Sequence, residues 1–466
     1  MSPQLRTEAL LTKLERVEQR SRRDPGTVFN NVGYILDLEL LRECYDSLDG
    51  TKAVGIDGVN KETYGKNLES NLKELLLKIR RGSYHPQASR ITEIPKVSGG
   101  TRPLAIACFE DKIVQEAAKR IVERIYEPLF ADCSYGFRLG RDCHKALAAL
   151  GGHLGNWECG AVLEIDLQKY FNTIPHEPLE KMLRAKISDK RFLYLILKLL
   201  KAPVLNAAGV AERNKIGSPQ GSILSPVISN VYLHHVLDTW FGWVNTSQFG
   251  RSAHMVRYAD DAVFTFRSIS DAERFKKLME TRLTEYGIKL HEGKTVAMLS
   301  GRREAERHEK LGLAMPSFTF LGFLHVWGIS VNKKTGKRFW RVKRRTCPKR
   351  YEKKLSEIKD YVRKNRHRKD LLLRMKRVTQ GYLNYFAIKD NQKRVSAFTC
   401  EVKRILFKWL NRRSQRRSFE WEQFGRILKR VAFPEACILN KDPFFGSRPN
   451  GVSMRKPYAL IEPVRF

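Results

Sequence analysis

Met255-Val256-Arg257-Tyr258-Ala259-Asp260-Asp261-Ala262-Val263-Phe264-Thr265-Phe266 is the stretch on which the fold turns. Its flanks are apolar, aromatic and β-branched, so they predict two short strands. Asp260 and Asp261 fall at the bend between them, as in a β-hairpin. Two adjacent carboxylates beside apolar strands are costly unless positive charge compensates them. A divalent metal ion is the usual compensation, and Mg²⁺ prefers one or two carboxylates plus substrate phosphates. The competing reading is a polar hairpin tip, because Asp is a common turn residue.

Three other segments bear on that choice. Residues 161–171 predict a buried strand ending in Asp166 and the aromatics Tyr170 and Phe171, with Asp166 placed to join a carboxylate pair on a neighbouring strand. A capping Asp is the alternative. Ile91-Thr92-Glu93-Ile94-Pro95-Lys96 and Thr101-Arg102-Pro103-Leu104, with Gly99-Gly100 between them, predict a hairpin that brings Lys96 and Arg102 together. A planar fork beside a point charge suits a triphosphate, while two solvated surface cations are the alternative. Gly217-Ser218-Pro219-Gln220-Gly221-Ser222 is a small-residue loop that lets backbone approach a ligand, or serves as a connector, ahead of an apolar helix over residues 227–237.

The 466 residues suggest about two to four domains. No apolar run is long enough to span a bilayer and no signal-peptide pattern begins at Met1, so the expected compartment is the cytosol, with no membrane partner. The eight cysteines form no Cys-x-x-Cys and read as free thiols. Charge is more informative: 86 Lys and Arg stand against 50 Asp and Glu, a net of +36. Residues 333–430 hold 34 of those cations and 8 of the acids, so +26 of the excess lies there. A one-signed region of that size points to a polyanion such as nucleic acid, since solubility alone does not require it.

Helical periodicity covers residues 4–23, 38–48, 68–80, 111–129 and 271–286, and residues 179–200 with a break near Ser188-Asp189. Phe318-Thr319-Phe320-Leu321-Gly322-Phe323 predicts an aromatic strand. Further on, Leu371, Met375, Val378, Tyr382 and Tyr385, and then Val395, Phe398, Val402, Ile405 and Trp409, keep helical spacing. With residues 351–362 these predict about three helices, apolar on one side and basic on the other.

Six motifs in order resemble a reverse transcriptase of the kind encoded by bacterial group II introns. They are Ile94-Pro95-Lys96 with Arg102-Pro103-Leu104, Asp166 with Tyr170-Phe171, Gly217 to Pro226, Tyr258 to Asp261, Lys294-Thr295, and Phe320-Leu321-Gly322-Phe323. Gly55-Ile56-Asp57-Gly58 looks like that group's N-terminal extension, and Arg412 to Trp421 like its maturase-thumb region. The resemblance implies an α+β, right-hand polymerase: fingers, a palm with an antiparallel sheet, and a basic α-helical thumb or maturase domain. The expected divisions are 1–89 for the extension and start of the fingers, 90–340 for fingers and palm, 341–430 for the helical domain and 431–466 for a tail.

Carried over by motif, Asp166, Asp260 and Asp261 are the catalytic and metal-binding carboxylates, holding two Mg²⁺ ions, with Mn²⁺ as a substitute. Lys96, Arg102, Phe171, Gln220 and Lys294 line the nucleotide site, Phe171 as the ring that excludes a 2′-hydroxyl and Lys294 as a proton donor to pyrophosphate. Phe320, Leu321 and Gly322 form the primer grip, and Arg412, Arg413, Arg416 and Arg417 bind RNA. The implied partners are intron RNA, an RNA template with a DNA or RNA primer, dNTPs and target DNA. Two departures stand out. Gly293 interrupts the motif around Lys294, and no clustered Cys and His suggest the nuclease that many relatives carry, so DNA cutting by that route is not expected. Two alternatives are an RNA-binding maturase without polymerase activity and a defence- or CRISPR-associated reverse transcriptase.

Overall fold

The computed structural model describes residues 3–95, 100–206, 209–332, 335–412 and 420–438. Two units divide the chain: residues 1–146 with 161–297, and residues 147–160 with those from 298 onward. That division lies inside the segment which the sequence assigned to fingers and palm.

In the first unit, local chemistry sets the helix ends. After α1 (Pro3–Arg23), α2 (Leu38–Ser47) starts where the Asp37 carboxylate accepts the Leu40 N–H at 2.9 Å. Likewise α3 (Lys61–Gly65) starts at Asn60, which accepts the Thr63 N–H, and α4 (Leu68–Arg81) stops at the left-handed Gly82. The hairpin β1 (Arg90–Pro95) and β2 (Thr101–Ile106) follows, with Ile94 opposite Arg102. Then come α5 (Phe109–Tyr126), the start of α6 (Cys143–Gly155), whose residues 147–155 belong to the second unit, β3 (Ala161–Asp166), and the short α7 (Tyr170–Thr173). Next are α8 (His176–Arg184) and α9 (Lys190–Leu200), separated by Asp189, which caps α9 and accepts the Val32 and Gly33 N–H groups at 3.0 and 2.8 Å.

After the small hairpin β4 (Pro203–Leu205) and β5 (Ala211–Arg213), the helix expected at 227–237 is interrupted. It runs as α10 (Ser225–Leu233), a π turn (His234–Asp238) and α11 (Thr239–Phe249). The predicted hairpin forms from β6 (His254–Tyr258) and β7 (Asp261–Phe266), followed by α12 (Ile269–Glu285) and β8 (Val296–Leu299). The sheet order is β6-β7-β3-β8, so the hairpin strand β7 lies directly beside β3, antiparallel to it.

β7 is buried along almost its whole length. On one face Phe264 and Phe266 meet Phe275 of α12 at ring-centroid distances of 4.9 and 5.3 Å, and Phe241 and Phe249 of α11 complete the cluster at 5.6 and 6.1 Å. Phe275 thus pins two helices to the strand that begins with Asp261. The strand reading of 161–171 holds only to Asp166. The chain then passes through Lys169 at φ +48° into α7, which turns Tyr170 and Phe171 out of the strand.

In the second unit, α13 (Arg302–Lys310) precedes an antiparallel sheet of β9 (Phe318–Phe320), β10 (Phe323–Val331) and β11 (Arg338–Thr346). Residues 318–323 are therefore two strands, not one: Leu321 and Gly322 make a two-residue turn, both at positive φ (+48° and +77°), and Phe320 faces Phe323. Among the described residues four α-helices follow, α14 (Pro348–Lys364), α15 (Leu371–Phe386), α16 (Gln392–Leu410) and α17 (Trp421–Arg430), around a core of Ile358, Met375, Tyr382, Phe398, Val402 and Phe424. The first three match the spacing seen in the sequence.

Replacing Phe275 by Ala removes the ring shared by α11, α12 and β7. The expected loss is about 3–5 kcal/mol of unfolding free energy, read from the midpoint of a denaturant titration. A loss below about 1 kcal/mol would contradict the packing role.

Candidate active site

Antiparallel pairing sets Asp166, the last residue of β3, directly opposite Asp261, the first of β7. Asp260 precedes it in a two-residue turn closed by the Tyr258–Asp261 pair. Three carboxylates therefore share one edge of the sheet. Burial pushes the Asp260 pKa up, and repulsion from Asp166 pushes it further. Its own backbone N–H, Arg102 and Arg257 act in the opposite direction. The Lys294 ammonium bonds to the Asp166 carboxylate. It is delivered there because residues 289–291 run beside the end of β3: Gln168 N–H bonds the Lys289 carbonyl and His291 N–H the Asp166 carbonyl, each at 2.8 Å. Gly293 has only ordinary contacts where a Cβ would sit, so a side chain would fit at this position.

The turn itself is held from two sides. Ala259 has φ +57°, a conformation that non-glycine residues rarely adopt. A Cβ on Gly136 would lie 2.3 Å from the Ala259 nitrogen, so only glycine lets that segment press against the turn. On the other side is Arg257, fully buried, whose Nη1 donates to the Ala259 carbonyl at 2.9 Å. Its remaining bonds go to Asp238, Asn230 and Ser134. None of these residues was singled out from sequence. One signal was available, an arginine inside an apolar strand, which burial obliges to have an anionic partner.

Three residues expected from sequence at a nucleotide site, Phe171, Gln220 and Arg102, lie on segments joined by backbone. The Phe171 carbonyl accepts the Ser218 N–H at 2.7 Å, and the Gly217 N–H bonds the Ile174 carbonyl at 2.8 Å. Two residues on, the Gln220 carbonyl accepts the Ala105 N–H of β2 at 2.6 Å. A Cβ on Gly221 would lie 2.4 Å from the Ala105 carbonyl oxygen, which fixes the loop against the hairpin that carries Arg102. The Gln220 side-chain oxygen is buried without a protein partner. Tyr170, packed edge-on to Phe171 at 5.4 Å, lies within electrostatic reach of Asp260. Asp166, Asp260, Asp261, Lys294, Arg102, Phe171 and Gln220 thus belong to one unit and one neighbourhood.

The remaining candidates lie elsewhere. Phe320, Leu321 and Gly322 are in the second unit, where the Tyr385 hydroxyl donates to the Leu321 carbonyl at 2.8 Å and the Cys347 N–H to the Gly322 carbonyl at 3.0 Å. Arg412 follows α16 in the same unit, its guanidinium 5.5 Å over the Trp409 ring. Lys96, Arg413, Arg416 and Arg417 lie outside the described residues.

The donor set suits a hard divalent cation, since it offers carboxylate oxygen and neither sulfur nor imidazole. Among the described residues no three His, Cys, Asp or Glu side chains close into a finished cage. Mg²⁺ does not need one, because water and substrate phosphate fill its other positions.

A hairpin-borne aspartate pair opposite a third aspartate on a central strand, flanked by a cationic hairpin and a small-residue loop, defines a nucleic-acid polymerase palm. Residues 94–325 match the model of the reverse transcriptase (RNA-dependent DNA polymerase) family. It is 35% identical over 227 residues to the group II intron-encoded protein LtrA of Lactococcus lactis, covering 48% of this chain and 37% of that protein. It is 36% identical over 250 residues to protein YkfC of Escherichia coli, covering 47% of this chain and 64% of that one. An uncharacterized 91 kDa protein in the cob intron of Schizosaccharomyces pombe is 33% identical over 234 residues, 50% of this chain and 29% of the other. The chain thus spans less than two thirds of each of these relatives. Reverse transcriptases work with divalent metal ions, in keeping with the donor set.

Phe171→Ala is expected to raise the ratio of ribonucleotide to deoxyribonucleotide kcat/KM by about tenfold or more, a size consistent with opening steric space in a pocket. An unchanged ratio would make Phe171 an ordinary packing residue.

Proposed function

We propose that this chain is the RNA-directed DNA polymerase of a group II intron, copying RNA into DNA and binding intron RNA to assist splicing and mobility. The observation that carries the reading is the pairing of Asp166 with Asp261 across β3 and β7, with Asp260 in the adjoining turn. Asp166, Asp260 and Asp261 would hold two Mg²⁺ ions, with Mn²⁺ as a substitute. Bound there, the ions would supply the positive charge that favours attack by a 3′-oxygen and offsets the charge of a leaving pyrophosphate.

The chain's own residues do the rest. Arg102, exposed on β2 and near enough to lower the Asp260 pKa, offers a bidentate fork to the incoming triphosphate. Phe171 limits space at the sugar, and the loop carrying Gln220 closes the pocket beside it. Lys294, on the carboxylate of Asp166, is placed to give its Nζ proton to the departing pyrophosphate. The basic helices that follow residue 333 supply phosphate contacts to RNA, and their charge supports intron binding over copying alone. The proposed partners are intron RNA, a primed RNA template, dNTPs and target DNA, and the proposed compartment is the cytosol. No helix among the described residues is long and apolar enough to cross a membrane.

Asp166→Asn and Asp260→Asn test the reading. Each is expected to cut primer extension on an RNA template by about 10²–10³-fold or more, the size of an effect lost from transition-state electrostatics. Affinity for primed template should stay near that of the parent, because phosphate contacts come from Lys and Arg. Near-normal extension by either variant would overturn the assignment.

A further inference from the structure

Arg257 uses every donor it has. A guanidinium carries five N–H bonds in a fixed fork, and here all five are taken inside the fold. Nε donates to Asp238 Oδ1 at 2.7 Å, and Nη2 to Asp238 Oδ2 at 2.5 Å and Ser134 Oγ at 2.8 Å. Nη1 donates to Asn230 Oδ1 at 3.1 Å and to the Ala259 carbonyl at 2.9 Å. Both charged partners are fully shielded from solvent, with side-chain exposures of 0%. Asn230 extends the network, its Nδ2 donating to the Gly136 carbonyl at 2.8 Å. Gly136 is the residue that presses on Ala259 from the other side. The Arg257 backbone is fixed as well: its N–H bonds the Cys133 carbonyl and its carbonyl accepts the Tyr135 N–H, each at 2.8 Å.

The π turn explains how both acidic and amide partners reach one guanidinium. Asn230 and Asp238 are eight residues apart. On an unbroken α-helix that spacing leaves side chains about 80° apart around the axis. A π turn absorbs one extra residue, so the effective spacing is seven and the offset falls to about 20°. The turn at His234–Asp238 lies between them and brings Asp238 onto the face of Asn230. The same helix starts at Ser225, whose hydroxyl bonds Ser218 at 2.6 Å and the Pro219 carbonyl at 2.9 Å. One helical element therefore carries the nucleotide-site loop at its start and the two anchors of Arg257 further along.

We propose that Arg257, oriented by Asp238 and Asn230, is a positioning residue for nucleotidyl transfer: it fixes the strained Ala259 turn so that Asp260 meets Asp166 in reactive register with the loop that holds the nucleotide. The inference rests on the polymerase reading and adds residues that touch neither substrate nor metal. It separates geometry from binding. Loss of the clamp displaces the carboxylate and slows the chemical step, while the dNTP and template contacts, made by other side chains, keep their affinity.

Arg257→Lys is the first test. A lysine keeps a positive charge beside Asp238, but its single ammonium cannot span Asp238, Asn230, Ser134 and the Ala259 carbonyl. Pre-steady-state extension of a DNA primer on an RNA template reads the rate constant per active site separately from the active fraction. The expected result is a fall of about 10²-fold in the rate constant, the scale of a roughly 1 Å misplacement. The dNTP KM and template-primer Kd should stay within about threefold of the parent. A purely structural role would lower the burst amplitude and leave the rate constant within about threefold, which would overturn the proposal. Should Arg257→Lys not fold, Asn230→Ala keeps the ion pair and removes only the amide link. It is expected to slow the rate constant about tenfold at unchanged dNTP KM, and a rate within about threefold of the parent would equally overturn the proposal. A parent chain that extends no primer removes the polymerase reading and this inference with it. A parent that extends beside an Arg257→Lys chain of unchanged rate constant removes this inference alone.

Discussion

The buried ion pair of Arg257 with Asp238 is the constraint on which the active site depends. An unpaired charge in that position would be prohibitively costly, so the fold must bring an acid to the arginine. It does so across 19 residues of sequence, by interrupting a helix with a π turn. Three donors remain beyond the pair, one of them on the Ala259 carbonyl, and through it the geometry of Asp260 is tied to the deepest part of the palm. Isolated buried ion pairs are weak sources of stability. Here the pair gives a defined geometry to a turn whose backbone would otherwise prefer to relax.

The other side of the site follows from backbone contact. Gly217 and Gly221 both have positive φ, and a side chain on either would collide with main-chain atoms, of Asn172 and of Ala105. These close approaches bind three short segments, α7, the small-residue loop and β2, into a single wall. Phe171, Gln220 and Arg102 are carried on it. On the proposed reading, the rigidity of that wall would let a steric criterion, the presence of one hydroxyl, decide between sugars.

Much of this was legible in the sequence where one local pattern sufficed. The hairpin of residues 255–266, the strand ending at Asp166 and the amphipathic helices all declare themselves through periodicity and turn residues. The pairing of Asp166 with Asp261 needed only that two buried strands be neighbours. The positioning network was only partly legible: an arginine inside an apolar strand calls for an anionic partner, but Ser134, Asn230 and Asp238 are distant in sequence and nothing local marks them as its partners. No local signal marks the π turn, since Val236 and Leu237 within it keep the segment looking like a continuing apolar helix. The turn at Leu321-Gly322 was hidden for a related reason. An apolar leucine at φ +48° reads as strand, and the bonds from Tyr385 and Cys347 that support the turn come from later in the chain.

On the proposed function, this palm copies RNA into DNA with a divalent ion. The direct measurement uses the purified parent chain, an RNA template annealed to a DNA primer, and all four dNTPs, with and without Mg²⁺. The predicted result is template-complementary DNA that appears with Mg²⁺ and stops on chelation. A folded chain that binds the primed template yet extends it with neither Mg²⁺ nor Mn²⁺ would contradict the account.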